Sequence, residues 1–238
     1  MMNVDKASPY RCAIYFAPAT DSPWWAAGSQ WLGRCAATHR ALEPPPVEGV
    51  DAQLLRRVTA EPRRYGWHGT LKAPFQLAAG CSLADLRSAL RQLCAALPAF
   101  TLPALRVVRM DRFLALRPAE PSKLLDAVAT ACVMQLHPLA RLLDEPQLRR
   151  RRDVGLTPQQ DALLMRWGYP WVLEQFRFHL SLTGDLSDVP LSVEQALMRT
   201  AQERFETLPP CRFDSVALFT EPRAGEDFEL LEHVELRG

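Results

Sequence analysis

Trp67-His68-Gly69-Thr70-Leu71 and Phe178-His179-Leu180-Ser181-Leu182 are two copies of one phrase: aromatic, His, any residue, hydroxyl, Leu. In an extended strand, alternate side chains point to opposite faces, so His68 and Thr70 share one face while Trp67, Gly69 and Leu71 share the other. The same parity groups His179 with Ser181 and sets Phe178, Leu180 and Leu182 behind them. Each strand thus carries a polar face and an apolar face that can rest on a core. Two such strands side by side bring four polar groups to one place.

The stretches downstream of the two copies are also alike. After the first, residues 82–97 repeat Leu83, Leu86, Leu90, Leu93, Cys94 and Leu97 at helical spacing, with Ser82 and Asp85 placed as a cap. Strand-like runs come next, near 101–109 and 112–117, with Met110-Asp111 in the turn. After the second, Ser192-Val193-Glu194-Gln195 reads as a capping box opening a helix, and strand-like runs lie near 212–219 and 227–236 around Gly225. The order motif strand, helix, strand, strand therefore recurs in units of about 66–117 and 175–236.

Outside the units, Arg11 to Ala17 reads as a strand, with Cys12, Ile14 and Phe16 opposite Ala13, Tyr15 and Ala17. A Trp-rich helix opens at Asp21-Ser22-Pro23, and residues 51–60 are helical in pattern. The connection over about 121–170 is largely helical, and Arg149 to Arg152 reads as a solvated charged turn within it. The expected fold is α+β: a single bilobal domain over 1–238, two pseudo-symmetric lobes of antiparallel sheet with helices on their outer faces, and a central cleft lined by the motif strands.

Composition narrows the function. With 28 basic and 27 acidic residues, the chain has no bulk positive field of the kind that holds long nucleic acid, which leaves room for a small or local anionic ligand. The cysteines Cys12, Cys35, Cys81, Cys94, Cys132 and Cys211 form no CxxC pair and no zinc-finger spacing, which reads as reduced thiols of a cytoplasmic protein. Neither a signal peptide nor a membrane-spanning stretch is expected.

The paired motifs resemble the signature of the 2H phosphoesterase superfamily, which includes 2′,3′-cyclic nucleotide phosphodiesterases, 2′-5′ RNA ligase-like proteins and RNA-trimming exonucleases. Arg11 to Phe16, Tyr65 to Phe75, Trp167 to Pro170 and Phe176 to His179 look like a bacterial branch often encoded beside carbon–phosphorus lyase genes. That branch more often has Ala at Gly69 and Thr at Ser181. The resemblance implies His68, Thr70, His179 and Ser181 as the catalytic set, with no metal or other cofactor.

The chemistry agrees with the residue types. Hydrolysis of a cyclic phosphodiester needs a base for water and an acid for the leaving alkoxide, and two imidazoles near neutrality supply both. Hydroxyls of Thr70 and Ser181 hold the phosphoryl oxygens. Strand parity adds Lys72 beside His68 and Thr70, Arg177 and Thr183 beside His179 and Ser181, and Tyr15 from the first strand, as substrate- or phosphate-binding groups. Alternatives are an RNA end-processing enzyme and a non-catalytic binder of a phosphorylated ligand. His39, His137 and His233 lack a partner motif and are assigned to local structure.

Overall fold

The structure is a computed structural model and describes residues 9–238. Nine strands run as β1 (Arg11–Phe16), β2 (Gly69–Phe75), β3 (Phe100–Thr101), β4 (Leu105–Met110), β5 (Phe113–Pro118), β6 (Leu180–Ser181), β7 (Arg212–Phe213), β8 (Ser215–Glu221) and β9 (Glu229–Glu235). The helices are α1 (Pro23–Leu32), α2 (Ala52–Val58), α3 (Ala60–Tyr65), α4 (Leu83–Ala95), α5 (Lys123–Leu136), α6 (Glu145–Arg152), α7 (Pro158–Trp167) and α8 (Leu191–Phe205). The chain is α+β, its main sheet seven-stranded and antiparallel in the order β4-β5-β6-β2-β1-β8-β9.

Alternation decides what lies on each face. On β1, Cys12, Ile14 and Phe16 enter the main core, while Ala13, Tyr15 and Ala17 enter a smaller cluster on the opposite face with Phe219 and Phe228. β8 divides likewise, Val216 and Leu218 inward and Ala217 and Phe219 outward. Helices α1, α2, α4, α5 and α8 supply the apolar stripes that close the main core, such as Leu86, Leu90 and Leu93 of α4. Side chains open several helices where the sequence suggests: Ser22 caps α1, Ser82 and Asp85 form a capping box, and Thr157 and Gln160 form another. The box read at Ser192 is absent, because α8 already starts at Leu191 behind Pro190 and has no side-chain cap.

The two repeat units exchange their hairpins. The first unit is β2-α4-β3-β4-β5, yet its hairpin β4–β5 lies beside β6, the motif strand of the second. The second unit's hairpin β8–β9 lies beside β1, which in turn pairs with β2. The short strands β3 and β7, one from each unit, pair with each other through Phe100 and Phe213. The two lobes are thus halves of one sheet, joined along the motif strands.

Arg149 to Arg152 form the last turn of α6, which Asp144 and Gln147 open as a capping box. They are not the charged turn that their composition suggests. All six cysteines are free, and no helix among the described residues is long and apolar enough to cross a membrane.

Candidate active site

The two motifs meet at the centre of the sheet, where Gly69 of β2 pairs with Leu180 of β6 in antiparallel register. Thr70 and Ser181 each follow the paired residue on their strand, and His68 and His179 each immediately precede it. Gly69 permits the close approach, because a Cβ there would come within 2.6 Å of the Phe178 ring. The glycine seats the aromatic of the second motif against the backbone of the first.

Both imidazoles are held the same way. Nδ1 of His68 donates to the Gly66 carbonyl at 2.8 Å, and Nδ1 of His179 donates to the Arg177 carbonyl at 2.7 Å. Each ring bonds back to the residue two positions upstream, which fixes the tautomer and leaves Nε2 as the free nitrogen. The hydroxyl of Thr70 lies 3.2 Å from Nε2 of His68. Tyr15 stacks on His68 with centroids 3.9 Å apart and planes inclined by 30°, and Phe113 lies 5.5 Å from the His179 ring.

Burial dominates the electrostatics of the pair. It pushes the His68 pKa down to about 4 against the smaller opposing effect of the Gly66 carbonyl, and the neighbouring His179 adds to the depression. The His179 pKa is also lowered, again first by burial and then, against the effect of the Arg177 carbonyl, by the charge of Arg117. The resting site therefore favours two neutral imidazoles, ready to accept protons. Burial likewise raises the Tyr15 phenol pKa, keeping it a neutral donor.

His68, Thr70, His179, Ser181 and Tyr15 all line one cleft of about 540 Å³. Lys72 does not. The pairing of β1 with β2 slips between Tyr15–Thr70 and Ile14–Lys72, and again before Cys12–Phe75, so β2 carries extra residues and its alternation resets after Leu71. Lys72 turns into a side pocket with His137 and lies over the Phe75 ring at 5.0 Å, while Ala73 and Pro74 take the places facing the cleft. Burial lowers its pKa to about 8.

Arg177 is also outside the cleft lining; its side chain is exposed and it contributes its carbonyl to His179. The regular strand begins only at Leu180, so parity does not extend back to residue 177. Thr183 lines the cleft, but its hydroxyl is already occupied, accepting from the Leu114 amide at 3.0 Å and donating to the Gly184 carbonyl at 2.9 Å.

In place of the two displaced cations the cleft holds Arg11, Arg112 and Arg151. Arg11 bonds to the buried Glu221, and Arg112 donates to Ser187 at 2.7 Å beside Asp185. Arg151 packs over the ring of Tyr169 at 5.6 Å. Arg117 on β5 lies close enough to influence His179, and its Nε is buried with no hydrogen-bond partner among the described residues. Among the described residues, no three His, Cys, Asp or Glu side chains are grouped as metal ligands.

A family model described as "Protein of unknown function (DUF1045)" matches residues 70–229. The chain is 36% identical over 241 residues to a Janthinobacterium sp. (strain Marseille) protein named ribose 1,5-bisphosphate phosphokinase PhnN, a match covering 100% of this chain and 53% of the relative. It is 37% identical over 220 residues to a protein of the same name from Laribacter hongkongensis (strain HLHK9), covering 92% and 50%. The chain thus spans about half the length of the curated relatives it matches. Among solved structures it is similar to E. coli LigT complexed with NADP+, at 17% identity and a TM-score of 0.46 over 98% of this chain and 100% of the other. It is also similar to E. coli LigT complexed with 3′-AMP, at 16% identity and a TM-score of 0.46 over 97% and 99%.

Proposed function

The chain belongs to the DUF1045 family, and within it we propose that this protein is a cyclic phosphodiesterase of the 2H type, acting on a small ribose or nucleotide cyclic phosphate by two-histidine acid–base catalysis. One observation carries the reading: two imidazoles in one cleft, each fixed through Nδ1 to the carbonyl two residues upstream, with the hydroxyls of Thr70 and Ser181 lining the same cleft.

The roles come from the two environments. His68, its pKa held near 4 beneath Tyr15, stays neutral and takes the proton of the attacking water on Nε2. The water oxygen bonds to phosphorus as the bond to one ribose oxygen breaks. His179, the less depressed of the pair, is charged by the bound phosphodiester anion and gives its Nε2 proton to the departing alkoxide. Thr70 and Ser181 donate to the non-bridging oxygens, holding the group in line. The scheme moves one proton in and one out and calls on no metal.

A ribose-based substrate is supported by the relatives' name, since opening a ribosyl cyclic phosphate yields a ribose phosphate monoester of the kind a ribose bisphosphate kinase handles. A role in phosphonate catabolism rests on the resemblance of Tyr65 to Phe75 and Phe176 to His179 to the branch encoded beside carbon–phosphorus lyase genes. The test is incubation with 2′,3′-cyclic nucleotides and ribose cyclic phosphates in EDTA. Turnover by the wild type that vanishes in His68→Ala and His179→Ala supports the mechanism; turnover that survives in both sinks it. Tight binding with no turnover assigns the cleft to a binding protein.

A further inference from the structure

Beside the cleft, behind Tyr65 and Pro74, lies a second recess of about 540 Å³, and Arg11 and Arg151 line both. Five guanidiniums line this recess, from Arg11, Arg64, Arg141, Arg150 and Arg151, and among the described residues no carboxylate does. Two of the five are already answered, because Arg11 and Arg64 both bond to the buried Glu221. Arg141 reaches only the amide oxygen of Gln76, at 3.4 Å. The adjacent Arg152 points the other way and pairs with Asp161 at 2.6 Å.

Arg151 is the informative member. It is half-buried, stands on the Tyr169 ring and has Arg11 and Arg150 as charged neighbours, with only the phenols of Tyr169 and Tyr65 acting in the opposite sense. A guanidinium partly withdrawn from water beside like charges is unfavourable unless an anion completes the set. The whole chain carries a formal charge of only +1, so this is a local feature and not part of a general basic surface. A recess lined by guanidinium forks and by no carboxylate suits the tetrahedral oxygens of a phosphate ester.

We infer that the arginine recess binds a second phosphoryl group, a phosphomonoester on the same molecule whose cyclic phosphate lies between His68 and His179, with Arg151 at the shared wall as its principal contact. The substrate class is then a bis-phosphorylated ribosyl compound with one phosphate cyclic and one terminal. The inference rests on the cleft being a phosphodiester site, and the experiment separates the two.

The kcat/KM values of uridine 2′,3′-cyclic phosphate and of its 5′-phosphorylated counterpart are compared in the wild type, Arg151→Gln and Arg150→Gln/Arg151→Gln. Binding of ribose 5-phosphate is measured by titration calorimetry in the same proteins and in His68→Ala, with melting curves confirming that each is folded. The wild type is expected to favour the 5′-phosphorylated substrate by about 10- to 100-fold, and the preference to collapse in the arginine variants. Ribose 5-phosphate binding should weaken about 10-fold or more in those variants and persist in His68→Ala. Turnover with an unchanged preference in the variants overturns the recess and leaves the catalytic reading standing. Absence of turnover, with ribose 5-phosphate binding still dependent on Arg151, overturns the catalytic reading and leaves the recess standing.

Discussion

His68 stores a pH-dependent stability that can be measured without any substrate. Its ordinary pKa of 6.5 falls to about 4 in the folded protein, chiefly through burial. As pH falls, the unfolded chain takes up this proton near 6.5, whereas the folded chain resists until about 4. The contribution is therefore complete above 6.5 and is lost progressively between 6.5 and 4. At about 1.36 kcal/mol per unit, His68 alone removes about 1.4 kcal/mol near pH 5.5 and about 2.5 kcal/mol near pH 4.5, relative to pH 7.5. His68→Gln cannot take up the proton. Urea denaturation of both proteins at these pH values gives the double difference, in which contributions common to both cancel. Wild type and variant losing stability in parallel from pH 7.5 to 5.5 would refute the buried, neutral His68 on which the assignment of the base depends.

Other substitutions probe the support of the site. His68→Ala and His179→Ala should each cut hydrolysis of a cyclic phosphate by about 10²- to 10⁴-fold, and the double variant should fall little further, as steady-state kinetics will show. Gly28→Ala on α1 places a Cβ 2.0 Å from the Trp67 ring, so it should cost about 1–3 kcal/mol in denaturation and lower kcat by displacing the residue before His68. Gly69→Ala meets the Phe178 ring at 2.6 Å and should destabilise by a similar amount, even though alanine suits a strand better than glycine does. Lys72→Met removes an ammonium from an apolar pocket, and since the Lys72 pKa is lowered from 10.5 to about 8, the variant should gain about 1–3 kcal/mol near pH 7, a gain that fades as pH rises past 8.

Much of the site was legible because it depends on local alternation. Parity placed His68 with Thr70, His179 with Ser181, and Tyr15 on the cleft side of β1, and the cleft receives all five. Parity failed where the ladder is irregular. Pro74 within β2 was the available signal, since proline removes a ladder donor and marks bulges, and it stands just beyond the slip that turns Lys72 away. Arg151 was hidden by a different omission. Asp144-Glu145-Pro146-Gln147 is a capping box with a first-turn proline, so the arginine run had to be helical; Leu148 is buried, and Arg151 comes one turn after it on the same side.

The pairing of the hairpins lay beyond any local signal, and it matters most for how the site is built. Repeat order in the sequence suggests two self-contained units, but the sheet sets β5 of the first unit against β6 of the second and hangs β8–β9 of the second from β1. Ser181 is thereby paired to Ala115, and the Leu182 amide bonds to the Leu114 carbonyl at 2.9 Å, so the hydroxyl of the second motif is positioned by the first unit. Tyr15, which stacks on His68, is held between β2 and β8. Neither motif has its full set of neighbours until both units have folded around the shared core. The two histidines can therefore come together only in the completed sheet, which ties the geometry of the pair to the stability of the whole domain.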